Sequence, residues 1–282
     1  MPMNPPTPLC CAGRTVARYV LHPELAPGHA PRPYLHPVRT LAGIAVTEEL
    51  SADHPHHLGA GVAVPDVAGF NFWGGRTFVR GLGPTVLSNH GVQRHEGFLS
   101  QQPDGFVAEL AWVACDRVLL RERRTVTATA LDDTAWALDL SFSLTNVSGA
   151  ELSFGSPATN GRAGAAYGGF FWRAPRSEAV PEVFGPDADG ESSVHGARAD
   201  WVALAGRGWT LVFAGASEET RRDPWFVRAA AYPGVGSSLA ADGRLSAAAG
   251  GTVVRRVVTV VADGRLDRGR AAALVREAVA TT

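Results

Sequence analysis

The clearest strand pattern in the chain is RVLLRERRTVTATA at Arg117–Ala130, followed by AWALDLSFSLTN at Ala135–Asn146. Along each segment, residues of a mostly apolar face alternate with residues of a mostly polar face, which is typical of a strand with one face against a core. The four residues between the segments, 131–134, include two aspartates, and aspartate favours turn conformations. The two segments are therefore predicted to form a long antiparallel hairpin.

Shorter segments with strand character lie on both sides of this hairpin. They predict strands at 15–21, 34–39, 43–48, 58–64, 77–82, 201–204, 209–215, 225–231 and 252–262. Only the segment 266–280 predicts a helix, with Asp263 or Asp267 able to cap its start. The polar segment 181–196, rich in Gly, Asp and Ser, predicts a long surface loop.

Many strands joined by short turns predict an all-β fold, a large antiparallel β-sandwich with a short C-terminal helix. We expect one domain over residues 1–282. Its proline-rich first 13 residues are predicted to be a disordered N-terminal tail.

Composition restricts the partners that this protein is expected to have. The chain has 282 residues, of which 45% are hydrophobic and 19% charged, as in ordinary globular proteins. Its formal net charge of -1 gives no electrostatic reason to expect a nucleic acid or an anionic membrane as partner. The 26 basic residues are all arginine, which excludes a catalytic lysine.

The three cysteines lack zinc-binding spacing, which predicts reduced thiols. The sequence shows no secretory signal and no apolar run of membrane-spanning length. We therefore expect a cytoplasmic protein. No phosphate-binding or dinucleotide-binding motif occurs, so no nucleotide cofactor is expected.

Three of the nine histidines lie in one segment, Asp53-His54-Pro55-His56-His57. On an extended strand His54 and His56 would share one face and His57 would point to the other. Two imidazoles at this spacing can hold a divalent metal if a third ligand comes from elsewhere, and His90 or His95 is a candidate. The alternative is a polar turn whose histidines bond to the main chain.

A second candidate group lies on the predicted hairpin. Glu122 and Arg124 share the strand face otherwise occupied by Leu120 and Val126. Charges on a buried face are destabilising unless they are paired or lie in a cleft. They form either an ion pair within the sheet or a general acid or base whose pKa the arginine sets.

A third group combines glycines, aromatic rings and arginines. It runs from Asn160-Gly-Arg162 to Tyr167-Gly-Gly-Phe-Phe-Trp-Arg173, with a weaker echo around Trp225. Flat rings beside arginines suit the faces and oxygens of a sugar. Alternatively, the side chains of Phe170 and Trp172 point into the core, and packing alone would explain these aromatic residues.

Several of these segments resemble the PmoA-like family. The resemblance runs from about residue 32 to 232 and is carried by Arg32-Pro-Tyr-Leu-His-Pro, Asp53-His-Pro-His-His-Leu-Gly, Phe70-Asn-Phe-Trp-Gly, Glu122-Arg-Arg and the Tyr167-Gly-Gly-Phe-Phe-Trp-Arg block. It implies a β-sandwich similar in shape to the mutarotase supersandwich. Genes of this family often lie beside those of sugar oxidoreductases, which implies a sugar or keto-sugar substrate. Many relatives carry an acidic residue where this chain has Asn160.

Two hypotheses for function follow. The first is a carbohydrate-active enzyme, a metal-assisted lyase, hydrolase or epimerase acting on a sugar or keto-glycoside. In it His54 and His56, with His90 or His95, hold the metal, and Glu122 or His57 moves the proton. The side chains assigned to substrate binding are Arg124, Arg162, Tyr167, Arg173 and Trp225. The second hypothesis is a non-catalytic β-sandwich that binds a carbohydrate or a partner protein.

Overall fold

A computed structural model describes residues 6–281, and most of its regular elements are β-strands. The strands are β1 Thr7–Cys11, β2 Arg14–Val20, β3 Tyr34–Val38, β4 Glu49–Ser51, β5 His54–Leu58, β6 Ala60–Ala63, β7 Asp66–Val67, β8 Thr77–Val79, β9 Gly83–Thr85, β10 Val92–Gln102, β11 Gly105–Ala114, β12 Arg117–Ala130, β13 Ala135–Asn146, β14 Leu152–Gly155, β15 Gly169–Arg173, β16 Glu182–Phe184, β17 Trp201–Gly206, β18 Trp209–Gly215, β19 Trp225–Arg228, β20 Gly234–Ser237, β21 Leu245–Ala247 and β22 Thr252–Asp263. The helices are α1 Glu191–Val194, α2 Glu218–Arg222 and α3 Arg268–Thr281, with a 3-10 turn at Pro27–His29.

The predicted hairpin lies at the centre of an eight-stranded sheet. The strand order is β10-β11-β12-β13-β22-β18-β17-β16, and β12 pairs with β13 in unbroken antiparallel register from Leu120 opposite Asn146 to Ala130 opposite Trp136. The turn between them is closed by Asp132, whose side chain accepts a hydrogen bond from the backbone of Thr134. The prediction of this hairpin is confirmed.

A seven-stranded sheet packs against one face of the eight-stranded sheet. Its order is β1-β2-β3-β6-β15-β20-β19, and residues of both sheets form one hydrophobic core. Trp172 of β15 lies 5.6 Å, centroid to centroid, from Phe213 of β18. The indole N–H of Trp172 donates to the carbonyl of Val46, as a buried tryptophan requires. The all-β antiparallel sandwich is confirmed.

Helix α3 covers the opposite face of the eight-stranded sheet. Ala271, Leu274 and Ala278 form one stripe that packs against small and β-branched residues such as Ala137 and Val260. The backbone N–H of Arg270 donates to the side chain of Asp267, which therefore caps the helix start. The C-terminal helix is confirmed, two residues later than predicted.

Three sequence-based expectations differ from the structure. The segment 43–48 forms only an isolated bridge between Arg39 and Ala45 rather than a strand. The predicted loop 181–196 contains β16 and α1, because β16 pairs with β17 as the edge strand of the large sheet. Strands β10 and β11 were not predicted, although they form one end of that sheet.

The predicted disordered tail is wrong for part of its length. Residues 1–5 lie outside the described residues, but β1 pairs with β2 from Thr7 opposite Tyr19 to Cys11 opposite Arg14. Leu9 and Cys11 are buried, so this segment contributes to the core. No helix within residues 6–281 is both long and apolar enough to span a membrane.

Candidate functional site

The three clustered histidines lie on the short hairpin formed by β4 and β5. Ser51 pairs with His54 and Glu49 with Leu58, so β5 advances four residues where β4 advances two. The two additional residues break the strict alternation of side chains. The rings of His54, His56 and His57 are consequently all neighbours, with centroids 4.6 to 5.8 Å apart. The prediction that His57 points away from the other two is wrong.

Aromatic side chains from the seven-stranded sheet and its loops surround these imidazoles. The His57 ring lies 5.0 Å from Phe171 and 4.8 Å from Tyr232, and its edge contacts Trp73 at 5.8 Å. Trp73 in turn packs on Tyr167 at 4.5 Å. Four rings from three separate segments therefore form one wall around the histidine cluster.

This wall borders a cleft of about 610 Å³, a volume suited to a small ligand. Its polar and charged lining consists of His29, Asp53, His54, His56, His57, Arg76, Arg162, Tyr167, Arg228 and Tyr232. Trp73, Phe226 and two prolines complete its apolar surface. We refer to it as the histidine cleft.

The backbone turn after Trp73 fixes the position of His56. Asn71 accepts hydrogen bonds from the backbone N–H groups of Trp73 and Gly74 through its side-chain oxygen. A Cβ atom at Gly75 would lie 2.7 Å from Cε1 of His56, and the φ of Gly75 is +70°. Glycine is therefore required where this loop passes the imidazole.

The electrostatics of the cleft keep two of its imidazoles neutral. Burial, aided by the charge on Arg32, lowers the pKa of His56 to about 3. Burial and the neighbouring His56 and His54 lower the pKa of His57 well below its usual range. Both rings are unprotonated at neutral pH, and each therefore has one nitrogen lone pair able to accept a proton or a hydrogen bond.

The single carboxylate of the cleft is already engaged. Asp53 binds the Nδ1 atom of His54 at 2.7 Å and forms an ion pair with Arg176. Burial opposes ionisation of Asp53, but the hydrogen bond from His54 and the charges on His54 and Arg176 together outweigh it and lower the pKa of the carboxyl group. Asp53 therefore orients His54 and anchors the hairpin.

Glu122 and Arg124 do not line this cleft. Both are buried between the sheets, where Nε of Arg124 donates to Glu122 at 2.7 Å. Glu122 also accepts from the indole of Trp112 at 2.7 Å, and Arg124 donates to the carbonyl of Pro33 at 2.9 Å. Of the two alternatives, the geometry is that of an internal ion pair, which ties β12 to the facing sheet.

The remaining predicted site residues are dispersed. Arg162 and Tyr167 line the cleft, whereas Arg173 is buried beside it, with its guanidinium 4.9 Å from the Tyr232 ring centroid. Trp225 lies in the core and donates to the carbonyl of Ala199.

The two candidate third metal ligands lie in different places. His90 lies next to the cleft, where its Nε2 atom is 2.7 Å from the carbonyl of Gly75. His95 packs elsewhere, against Tyr19, His22 and Phe98. Within residues 6–281 no group of three or more His, Cys, Asp or Glu side chains is arranged to hold a metal ion. The donor set is therefore not preassembled around one point.

Sequence reasoning did not single out several residues of the cleft as site residues, and four of them contribute rings or guanidinium groups to the proposals below. These are Trp73, Arg76, Arg228 and Tyr232. The paired glycines that follow Trp73 were a usable signal, because they mark a close approach of the backbone to another group. Tyr232 has no comparable local signal, since its contact with His57 depends on the pairing of distant strands.

A second groove of about 610 Å³ lies where α3 begins, beside β16 and α1. Its carboxylates have partners within the protein. Glu182 pairs with Arg265, Asp189 pairs with Arg268, and Glu191 accepts from the backbone of Ala229. The histidine cleft is the better candidate site because its imidazoles combine neutrality with free nitrogen atoms.

The model of a family of unknown function, DUF6807, matches residues 7–276. No curated protein matches the sequence. Among solved structures, a mutant of heparan sulfate lyase HepC from Pedobacter heparinus is 10% identical with a TM-score of 0.33, and the match covers 62% of this chain and 22% of that one. A heparinase III is 10% identical with a TM-score of 0.25, over 65% of this chain and 22% of that one. The chain thus spans 22% of the length of each.

Proposed function

The chain belongs to DUF6807, a family of unknown function, and from its histidine cleft we propose that it is a carbohydrate-active enzyme that removes a proton from carbon. The observation that carries this proposal is the meeting of neutral imidazoles and tyrosine phenols in one aromatic-walled cleft. Such a pair of groups can accept a proton at one point of a substrate and donate one at another.

The walls of the cleft suit a sugar ring. Trp73, Tyr167, Phe226 and Tyr232 offer flat apolar faces, and the polar groups between them can orient hydroxyl groups. Ligand sites commonly combine an apolar lining with a few well-placed polar groups. A carbohydrate ligand is therefore the class of molecule that we assign to the cleft.

The acid–base roles follow from protonation state. His57 is the base in this proposal, because its ring is neutral and its Nδ1 atom is buried without a hydrogen-bond partner among the described residues. Tyr232 is the acid, because burial raises the pKa of its phenol and keeps the proton on the oxygen. The two rings are 4.8 Å apart, so one bound sugar can reach both.

These groups favour a lyase or an epimerase over a hydrolase. Most glycoside hydrolases use two carboxyl groups, one on each side of the scissile bond. The carboxylate that lines this cleft, Asp53, is engaged with His54 and Arg176. Proton removal by an imidazole needs no second carboxylate. The proposed proton removal uses only side chains of the cleft. Binding of a divalent metal by His54 and His56 stays a prediction.

Solvent deuterium tests the proposal directly. Purified protein is incubated in D2O with a panel of neutral glycosides, 3-keto-glycosides and uronides, and substrates and products are analysed by mass spectrometry. We expect deuterium on carbon in a recovered substrate or product, because a base that removes a carbon-bound proton exchanges it with solvent. His57→Gln should abolish this exchange, whereas His95→Gln, outside the cleft, should retain it.

The alternative is a non-catalytic carbohydrate-binding module, and the aromatic wall supports it equally well. That alternative predicts saturable binding of a sugar in the cleft without deuterium incorporation or turnover for any member of the panel. This combination of results would exclude the enzymatic proposal.

A further inference from the structure

We infer that the histidine cleft selects an acidic carbohydrate, a uronic-acid type of sugar, and that Arg76 and Arg162 bind its carboxylate. This inference rests on the proposed function for the chemistry that follows binding. The assignment of the charged ligand itself depends on the distribution of charge around the cleft.

The lining of the cleft has more guanidinium groups than carboxylates. Arg76, Arg162 and Arg228 contribute positive charge, and Asp53 contributes negative charge. Asp53 interacts with His54 and Arg176, and not with any of these three arginines. The arginine charge is therefore not neutralised by a carboxylate of the lining.

Two of the three arginines are free to bind a ligand. Arg228 lies 3.7 Å from Glu191, donates to the carbonyl of Gly164 and stacks over the Phe226 ring. Arg76 and Arg162 are exposed, and within residues 6–281 no hydrogen bond or ion pair joins either guanidinium to another group. A planar guanidinium binds a carboxylate through two parallel hydrogen bonds, which makes these two residues suitable anchors.

The free charge is close to the proposed acid–base groups. Burial raises the pKa of Tyr167 and Tyr232, and the charge on Arg162 opposes that rise in both. His57 supplies an independent sign of a ligand-binding site, since the residue is 2% exposed and its Nδ1 atom has no partner among the described residues. A cleft with low-dielectric walls and an excess of one charge concentrates ligands of the opposite charge.

A carboxylate also fits the proposed chemistry better than another anion. The carbon-bound proton next to a carboxylate becomes more acidic when a cation neutralises the developing charge. In an elimination, His57 would take that proton, a double bond would form to the next carbon, and the bond from that carbon to its oxygen substituent would break. Tyr232 would supply a proton to the departing oxygen. No oxidant or further reactant is needed.

Binding of paired ligands tests the inference. Calorimetry on the full chain compares methyl glucuronide with methyl glucoside, which differ in the carboxylate, and with glucose 6-sulfate. We expect tighter binding of the glucuronide, weakened at least about tenfold by Arg162→Ala or Arg76→Ala, which is the size of effect seen when a charged hydrogen bond is lost. Arg207→Ala removes an exposed arginine from the turn between β17 and β18 and should leave the affinity unchanged. Melting temperatures establish that all three variants are folded.

The outcomes separate this inference from the proposed function. Equal affinity for glucuronide and glucoside, unaffected by both arginine variants, overturns the inference even if a neutral sugar exchanges deuterium. Glucuronide-selective binding that depends on Arg162 upholds it even if no member of the panel is turned over. Binding of the sulfate as tight as that of the glucuronide, with the same dependence on the arginines, overturns the assignment of a carboxylate.

Discussion

At the scale of single residues, the Glu122–Arg124 ion pair shows how buried charged side chains can have a structural role. Both side chains face the core at positions that apolar residues would normally occupy, and each has internal partners. Removing one member of a buried pair leaves the other charge uncompensated, which costs about 3–5 kcal/mol. The pair therefore has a large effect on the free energy of unfolding without contacting the cleft.

We predict that Glu122→Gln lowers the free energy of unfolding by about 3–5 kcal/mol in urea titrations, because it leaves Arg124 buried and unpaired. Glu109→Gln changes an exposed glutamate on the adjacent strand and should alter stability by less than about 0.5 kcal/mol. Turnover per folded molecule should not change. If Glu122→Gln is poorly folded, the double change Glu122→Leu with Arg124→Met removes both charges together. Lost turnover with unchanged stability would instead assign Glu122 to catalysis.

At the scale of elements, the loop that carries Trp73 to Arg76, between β7 and β8, forms one side of the histidine cleft. It brings one ring of the wall, one free arginine and the glycine that packs against His56. Its geometry therefore controls the position of His56.

The change Gly75→Ala should displace His56 and lower kcat/KM by about tenfold or more, since small misplacements in a site have large effects on rate. Gly250→Ala provides a matched control, because Gly250 also has a positive φ, +78°, but an added Cβ would meet nothing within 4 Å. Each change should cost about 1 kcal/mol of stability through backbone strain. Equal loss of activity in both variants would show that the contact with His56 is unimportant.

Elements differed in how well the sequence predicted them, and burial explains the difference. The β12–β13 hairpin was predicted to the residue because one face of β12 alternates against the core. Strand β10 was missed because its last residues are exposed on both faces and carry no alternation. The additional residues in β5 were not predictable either, since they appear only when β5 pairs with β4.

At the scale of the whole molecule, the candidate site depends on contacts that no local pattern reveals. The histidine segment was found from composition alone, but its aromatic neighbours come from residues 73, 167, 171 and 232. Likewise, Arg124 was predicted to face the core, yet its partners Pro33 and Gln93 come from other strands and loops. The alternation of the sequence predicts which face of a strand a residue occupies, but its contact partners on that face depend on the tertiary fold.

Histidines buried in the neutral state couple the stability of the whole fold to pH. Burial lowers the pKa of five of them, His36, His56, His57, His95 and His195. Below their ordinary pKa of 6.5 these residues take up protons in the unfolded chain before they do so in the folded one. Stability is therefore fully present above about pH 6.5 and is lost as the pH falls towards the folded-state values.

We predict that the free energy of unfolding falls between about pH 6.5 and pH 5, by up to about 1.4 kcal/mol per pH unit for each such histidine. His56 should contribute over this whole interval, because its pKa in the folded chain is about 3. His56→Gln should therefore make the slope shallower. Urea titrations at several pH values give the slope. Carboxylates with lowered pKa, such as Asp53 and Asp66, add their own loss only at lower pH. A slope that His56→Gln does not alter would mean that the pKa of His56 is not lowered in the folded protein.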